Sequence, residues 1–96
     1  MPKAYILVNA ARREDVPAPT AYLERFREVL ATHGGRVLIG TEQIDRRKGD
    51  LKLGRLVLVE FSDKAAALAA YDEYAKEVMP LRPGGTIDLF IVEGTG

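Results

Sequence analysis

The sequence predicts one α+β domain built in the order β-α-β-β-α-β. Three observations carry this: four short apolar runs, two segments with apolar residues at helical spacing, and turn or capping residues between them. Its 96 residues suffice for one core, and residues 1–96 are read as a single domain.

Ala4 to Val8 is a short aromatic and β-branched run, which makes it the first strand. Asn9 to Thr20 mixes charges with Pro17 and Pro19, whose restricted φ suits a loop that ends in the first turn of a helix. Tyr22, Leu23, Phe26, Val29 and Leu30 then recur at helical spacing, with Glu24, Arg25, Arg27 and Glu28 on the opposite side. His33-Gly34-Gly35 closes this helix, because a glycine can take the left-handed conformation of a helix C-terminus. Arg36 to Ile39 and Leu56 to Phe61 read as strands two and three, an antiparallel hairpin whose polar connection holds Asp45 to Asp50. Ser62 or Asp63 offers an N-cap to a second helix with Leu68, Tyr71, Ala75 and Val78 on one face. Met79-Pro80 ends that helix, Pro83-Gly84-Gly85 turns the chain, and Ile87 to Val92 forms strand four.

Composition narrows the partners. Fourteen Lys and Arg balance fourteen Asp and Glu, so no net field draws in a polyanion or an anionic membrane. Cysteine is absent, which removes disulfides, thiolate nucleophiles and sulfur ligands for zinc or iron–sulfur clusters. The opening Met-Pro-Lys-Ala lacks the apolar length of a signal peptide, and no segment approaches the roughly twenty apolar residues of a membrane helix. The expectation is a soluble cytoplasmic protein, without cofactor or metal, that binds neither nucleic acid nor membrane.

Two right-handed β-α-β units sharing one sheet give the ferredoxin-like arrangement, a four-stranded antiparallel sheet with both helices on one face. A sheet with one wet face should alternate apolar and polar residues, yet Ala4 to Val8, Leu56 to Val59 and Leu89 to Val92 are apolar throughout. About six aliphatic side chains left on an uncovered face would forgo roughly 1.5–3 kcal/mol each, a sum of about 10 kcal/mol. That rivals the whole stability of a typical domain, about 5–15 kcal/mol. A second copy covering the face, sheet against sheet, is therefore expected, and the protein is read as a homodimer.

His33-Gly34-Gly35-Arg36, Gly49, Arg55 with Val59-Glu60-Phe61, Tyr74, Arg82 and Val92-Glu93-Gly94, taken together, carry a family resemblance. The chain resembles the domain of unknown function 1330 family, small proteins of the dimeric α/β barrel superfamily, over nearly its full length. The resemblance implies the fold and the dimer, and it brings no settled biochemical activity. Two stretches depart from the family pattern: Asn9 to Thr20 is longer, and Arg46-Arg47-Lys48 replaces an acidic and apolar stretch before the glycine.

Candidate chemistry rests on few residues. His33 is the one histidine and so the one ready base near neutral pH, although the last turn of a helix also suits it to a capping role. Arg36, Arg55 and Arg82, with Glu60 and Glu93, lie beside predicted strands and could bind a carboxylate or phosphate, or else pair across strands or a dimer seam. Tyr74, like Tyr22 and Tyr71, packs by its ring and offers a hydroxyl. Three roles follow: a homodimer binding a small molecule in a cavity between helices and sheet, near His33, Arg36, Arg55, Glu60, Tyr74 and Arg82; a cofactor-independent enzyme, oxygenase- or isomerase-like, with His33, Tyr74 or a carboxylate as base; or an interaction module with no site. Related monooxygenases of the superfamily use an asparagine that Asn9 matches in placement, but tryptophan is absent. The same element order also builds RNA-recognition domains; there the stacking positions would be Ile6, Leu56 and Leu58, which form no aromatic platform.

Overall fold

The computed structural model describes residues 2–11, 20–81 and 86–95. Its elements follow the expected order: β1 (Ala4–Ala11), α1 (Thr20–Thr32), β2 (Arg36–Thr41), β3 (Arg55–Phe61), α2 (Lys64–Glu73) and β4 (Thr86–Glu93). The loop prolines Pro17 and Pro19 and the turn Pro83-Gly84-Gly85 lie outside the described residues. The four strands form one antiparallel sheet in the order β2-β3-β1-β4. Strand β1 runs beyond Val8 because Asn9 and Ala10 find partners on both sides, Leu56 and Arg55 on β3 and Asp88 and Ile87 on β4.

Strand alternation sorts the side chains between two faces. Ala4, Ile6 and Val8 of β1 and Val59 and Phe61 of β3 are buried against Leu30 of α1 and Ala67 and Ala70 of α2. Ile87, Leu89 and Ile91 of β4 pack against the same core. Small residues on α2 let its backbone sit close to the sheet. The molecule is accordingly a flat two-layer body, 41 × 35 × 16 Å in its Cα extents.

Both helix ends follow from local chemistry. At the C-terminus of α1, Gly34 adopts φ 72°, its N–H donates to Ala31 O at 3.2 Å, and the Gly35 N–H reaches back to Leu30 O at 2.7 Å. This crossed pair satisfies carbonyls that the helix would otherwise leave open. Of the two expected caps for α2, Asp63 serves: its backbone is extended and its Oδ1 accepts from the Ala66 N–H at 2.8 Å.

The buried stripe of the second helix differs from the expected one. Ala67, Ala70, Tyr74 and Val78 face the interior, whereas Leu68 is 43% exposed. Val78 is buried as expected and Tyr71 packs partly buried against the core, but alanines take the two positions nearest the sheet. After Glu73 the chain widens into a π turn, Tyr74–Val78, and then tightens into a 3-10 turn, Met79–Leu81, before the proline-rich exit. The buried set still falls at i, i+3, i+7 and i+11, one residue round from the expected stripe at its N-terminal end.

Candidate functional site

Helix α1 and the π turn meet over an aromatic cluster. The Phe26 and Tyr74 rings stand edge to face with centroids 5.9 Å apart, and Tyr22 and Tyr71 flank them at 6.1 to 6.5 Å. Val29, Val78, Ile87 and Leu89 pack with these rings. Within this apolar setting the hydroxyls of Tyr22 and Tyr74 hydrogen-bond to each other at 3.0 Å. Tyr74 is 5% exposed and opens the π turn, a distortion that recurs at functional sites.

Beside the cluster, a charged network ties the two helices together. Arg25 Nη1 donates to Glu28 Oε2 at 2.8 Å on its own helix, while its Nη2 reaches Glu73 at 3.3 Å and also Glu77. His33 Nε2 lies 3.0 Å from the other Glu73 oxygen. The hydrogen bond from His33 holds the Glu73 carboxyl below its ordinary value; partial desolvation opposes this, and the charges of His33 and Arg25 reinforce it. Glu28 and then Glu77 push the Arg25 guanidinium further up, so it stays a cation throughout.

The sequence-predicted site residues fall into separate places. His33 belongs to the interhelix network through its ring, and Tyr74 belongs to the aromatic cluster. Arg36 and Glu60 are register partners on β2 and β3, on the sheet face away from the helices. The ion-pair partner of Glu60 among the described residues is Lys3, at 3.3 Å. Arg55 lies toward the helix side of the sheet margin, where its Nη2 donates to Gly40 O at 3.1 Å. Arg82 lies outside the described residues. Asn9 is engaged in holding the hairpin connection: its Nδ2 donates to Lys52 O at 3.0 Å and its Oδ1 accepts from the Gly54 N–H at 2.9 Å. Among the described residues no three His, Asp or Glu side chains converge as a metal site, and no helix is long and apolar enough to cross a membrane.

Arg25, Glu73 and Glu77 escape a reading of the chain one helix at a time. Glu73 and Glu77 are four residues apart and Arg25 and Glu28 are three, spacings that place each pair on one helix surface. Their meeting depends on how the two helices cross.

The sheet face away from the helices, with the hairpin connection bonded to Asn9 at one end, carries an apolar row. The register aligns Ile39 with Leu58, Leu58 with Leu7, and Leu7 with Phe90, one apolar side chain from each strand in a continuous row. Ile39, Leu7 and Phe90 are 44%, 36% and 55% exposed. On one side of this row stand Arg36, Glu60, Tyr5 and Val92; on the other stand Thr41, Leu56, Asn9 and Asp88.

A family model described as domain of unknown function (DUF1330) matches residues 3–95. A protein of unknown function from Rhodopseudomonas palustris, solved as a structural genomics target, superposes with a TM-score of 0.70 at 17% identity, covering 99% of this chain and 84% of that one. The de novo designed protein Foldit4 superposes with a TM-score of 0.59 at 12% identity, covering 99% and 100%. These likenesses show a shared fold. No curated protein matches the chain.

Proposed function

For a chain that belongs to the DUF1330 family, we propose the role of a self-associating binding module: a homodimer closed through the uncovered sheet face. The observation that carries this reading is the row Ile39, Leu58, Leu7 and Phe90, which crosses all four strands on the side away from the helices. Val92, 44% exposed, extends the apolar area beside it. Polar residues border this row, the pattern of an interface with an apolar centre and a polar rim. A broad face within extents of 41 × 35 Å has room for the about 800 Å² per partner that a stable interface buries. Leu58→Asp would place a charge at the centre of the row. Sedimentation equilibrium should show a wild-type dimer and an L58D monomer that keeps its far-ultraviolet circular dichroism; a wild-type monomer at all concentrations defeats the reading.

A small-molecule role has one specific support, the Tyr22 and Tyr74 hydroxyl pair inside an aromatic cluster at a π turn. That pair could exchange its mutual hydrogen bond for bonds to the polar head of a ligand with an apolar body. Calorimetric titration with phenylacetate tests it: heat that disappears in Y22F/Y74F supports the site, and no heat with either protein removes it. Catalysis has less support, because His33, Glu73 and Arg25, the groups best suited to proton transfer or charge stabilisation, engage one another at the helix surface.

A further inference from the structure

On the helix side of the sheet margin we infer a binding site for a monocarboxylate with a short apolar body, held by Arg55 where its side chain lies over Gly40 beside Val37. Helix α2 packs over β1, β3 and β4 and leaves the helix side of the edge strand β2 open: Val37 is 50% exposed, and Gly40 is exposed. The place lies on the other face of the sheet from Ile39, Leu58, Leu7 and Phe90, so it does not depend on the homodimer.

A bulge, a glycine and an arginine build it. Val37 stands opposite Val59 but Ile39 opposite Leu58, a slip that leaves Leu38 as the extra residue of a bulge in β2. In an unbroken strand Val37 and Gly40, three positions apart, would face opposite sides. With the bulge both share the side of Val59 and Val57, which face the helices. A Cβ at Gly40 would stand 3.1 Å from Arg55 Nη2 and 3.8 Å from Val37 Cγ1. The missing side chain is therefore the seat of the guanidinium, which lies across β2 and donates to Gly40 O at 3.1 Å. A glycine within a strand marks such a close approach.

The charge of Arg55 is unmatched. Its hydrogen bond goes to a neutral carbonyl, and it has no carboxylate partner among the described residues, whereas Lys3, Arg25, Arg47 and Lys64 each meet an Asp or Glu. The guanidinium donors left over suffice for the paired, parallel bonds that a planar carboxylate accepts. A single cation matches a monoanion better than a phosphate dianion. Val37 beside it, with Val57 partly buried on the next strand, gives the apolar body of such an anion a surface to lie on.

Amide chemical-shift titration with hexanoate tests the site. Shifts should gather at Val37, Gly40, Arg55 and Val57; acetate, which lacks the apolar body, should bind about tenfold more weakly, and hexylamine should leave these amides unmoved. R55Q, a change at an exposed position, should keep the far-ultraviolet circular dichroism of the wild type and weaken hexanoate binding about tenfold. R55K, which keeps the charge but loses the planar fork, should fall between the two. G40A, whose methyl would displace the guanidinium, should also weaken binding, while R36Q, on the opposite face of the sheet, should bind as the wild type does. Absent shifts at these amides in the wild type, wild-type affinity in R55Q or G40A, or an equal response to hexylamine overturns the site and leaves the homodimer reading untouched.

Discussion

Gly35 lies against the ring of Phe61: a Cβ at Gly35 would stand 2.9 Å from Phe61 Cε1 and 3.1 Å from Val59 Cγ1. Phe61 and Val59 are each 1% exposed, so neither can give way toward solvent. The residue that follows the helix-closing glycine thus runs close over the core side of β3. Gly35→Ala should cost about 1–3 kcal/mol by overpacking, and G35A/F61L should cost less than the sum of its single variants. Urea denaturation at one fixed protein concentration measures both.

The paired hydroxyls of Tyr22 and Tyr74 make a second measurable contribution. Removing either oxygen leaves the other without this partner in a part-buried setting. Y22F and Y74F should each lose about 0.5–1.5 kcal/mol, and Y22F/Y74F should lose less than their sum, because the double variant leaves no orphaned hydroxyl. Additive losses would show that the two oxygens act independently.

Asp63 supplies the side-chain acceptor for the first turn of α2, at 2.8 Å from the Ala66 nitrogen. Asp63→Ala should cost about 1 kcal/mol, whereas Asp63→Ser, which retains an acceptor oxygen, should keep most of that stability. Thermal unfolding of the three proteins is the check.

Acid sensitivity should concentrate at Glu73. His33 hydrogen bonding holds its carboxyl below the ordinary value, so the folded protein binds that proton less tightly than the unfolded chain does. The contribution of the contact is therefore complete above the ordinary glutamate range, about pH 4.3 to 4.5, and is lost as pH falls through the lowered folded value. Denaturation curves from pH 6 to pH 3 should show a shallower acid limb for E73Q than for wild type. Equal slopes would place the acid sensitivity elsewhere.

The four strands and the two helices were legible because strand and helix periods are local properties, readable from a few neighbouring residues. Gly34 and Asp63 were legible for a related reason: a helix end leaves backbone groups unpaired, and few residue types can close it. Legibility stopped at the buried face of the second helix. Reading by side-chain size chose Leu68, whereas Ala67 and Ala70 are the residues buried against the sheet and Leu68 is 43% exposed. The site residues scattered for another reason. Arg36, Arg55 and Glu60 were grouped by closeness to strands, but strand alternation sends Arg36 and Glu60 to one face of the sheet and Arg55 to the other.

By itself the sequence determined the order of elements, the antiparallel sheet and the presence of more apolar surface than two helices can cover, since each follows from local pattern and from the amount of chain. Only the tertiary structure decided that Ile39, Leu58, Leu7 and Phe90 form one row, that Arg25 bridges to Glu73 and Glu77, and that Tyr22 meets Tyr74. Each of these depends on strand register or helix crossing, which are set by packing between segments far apart in the chain.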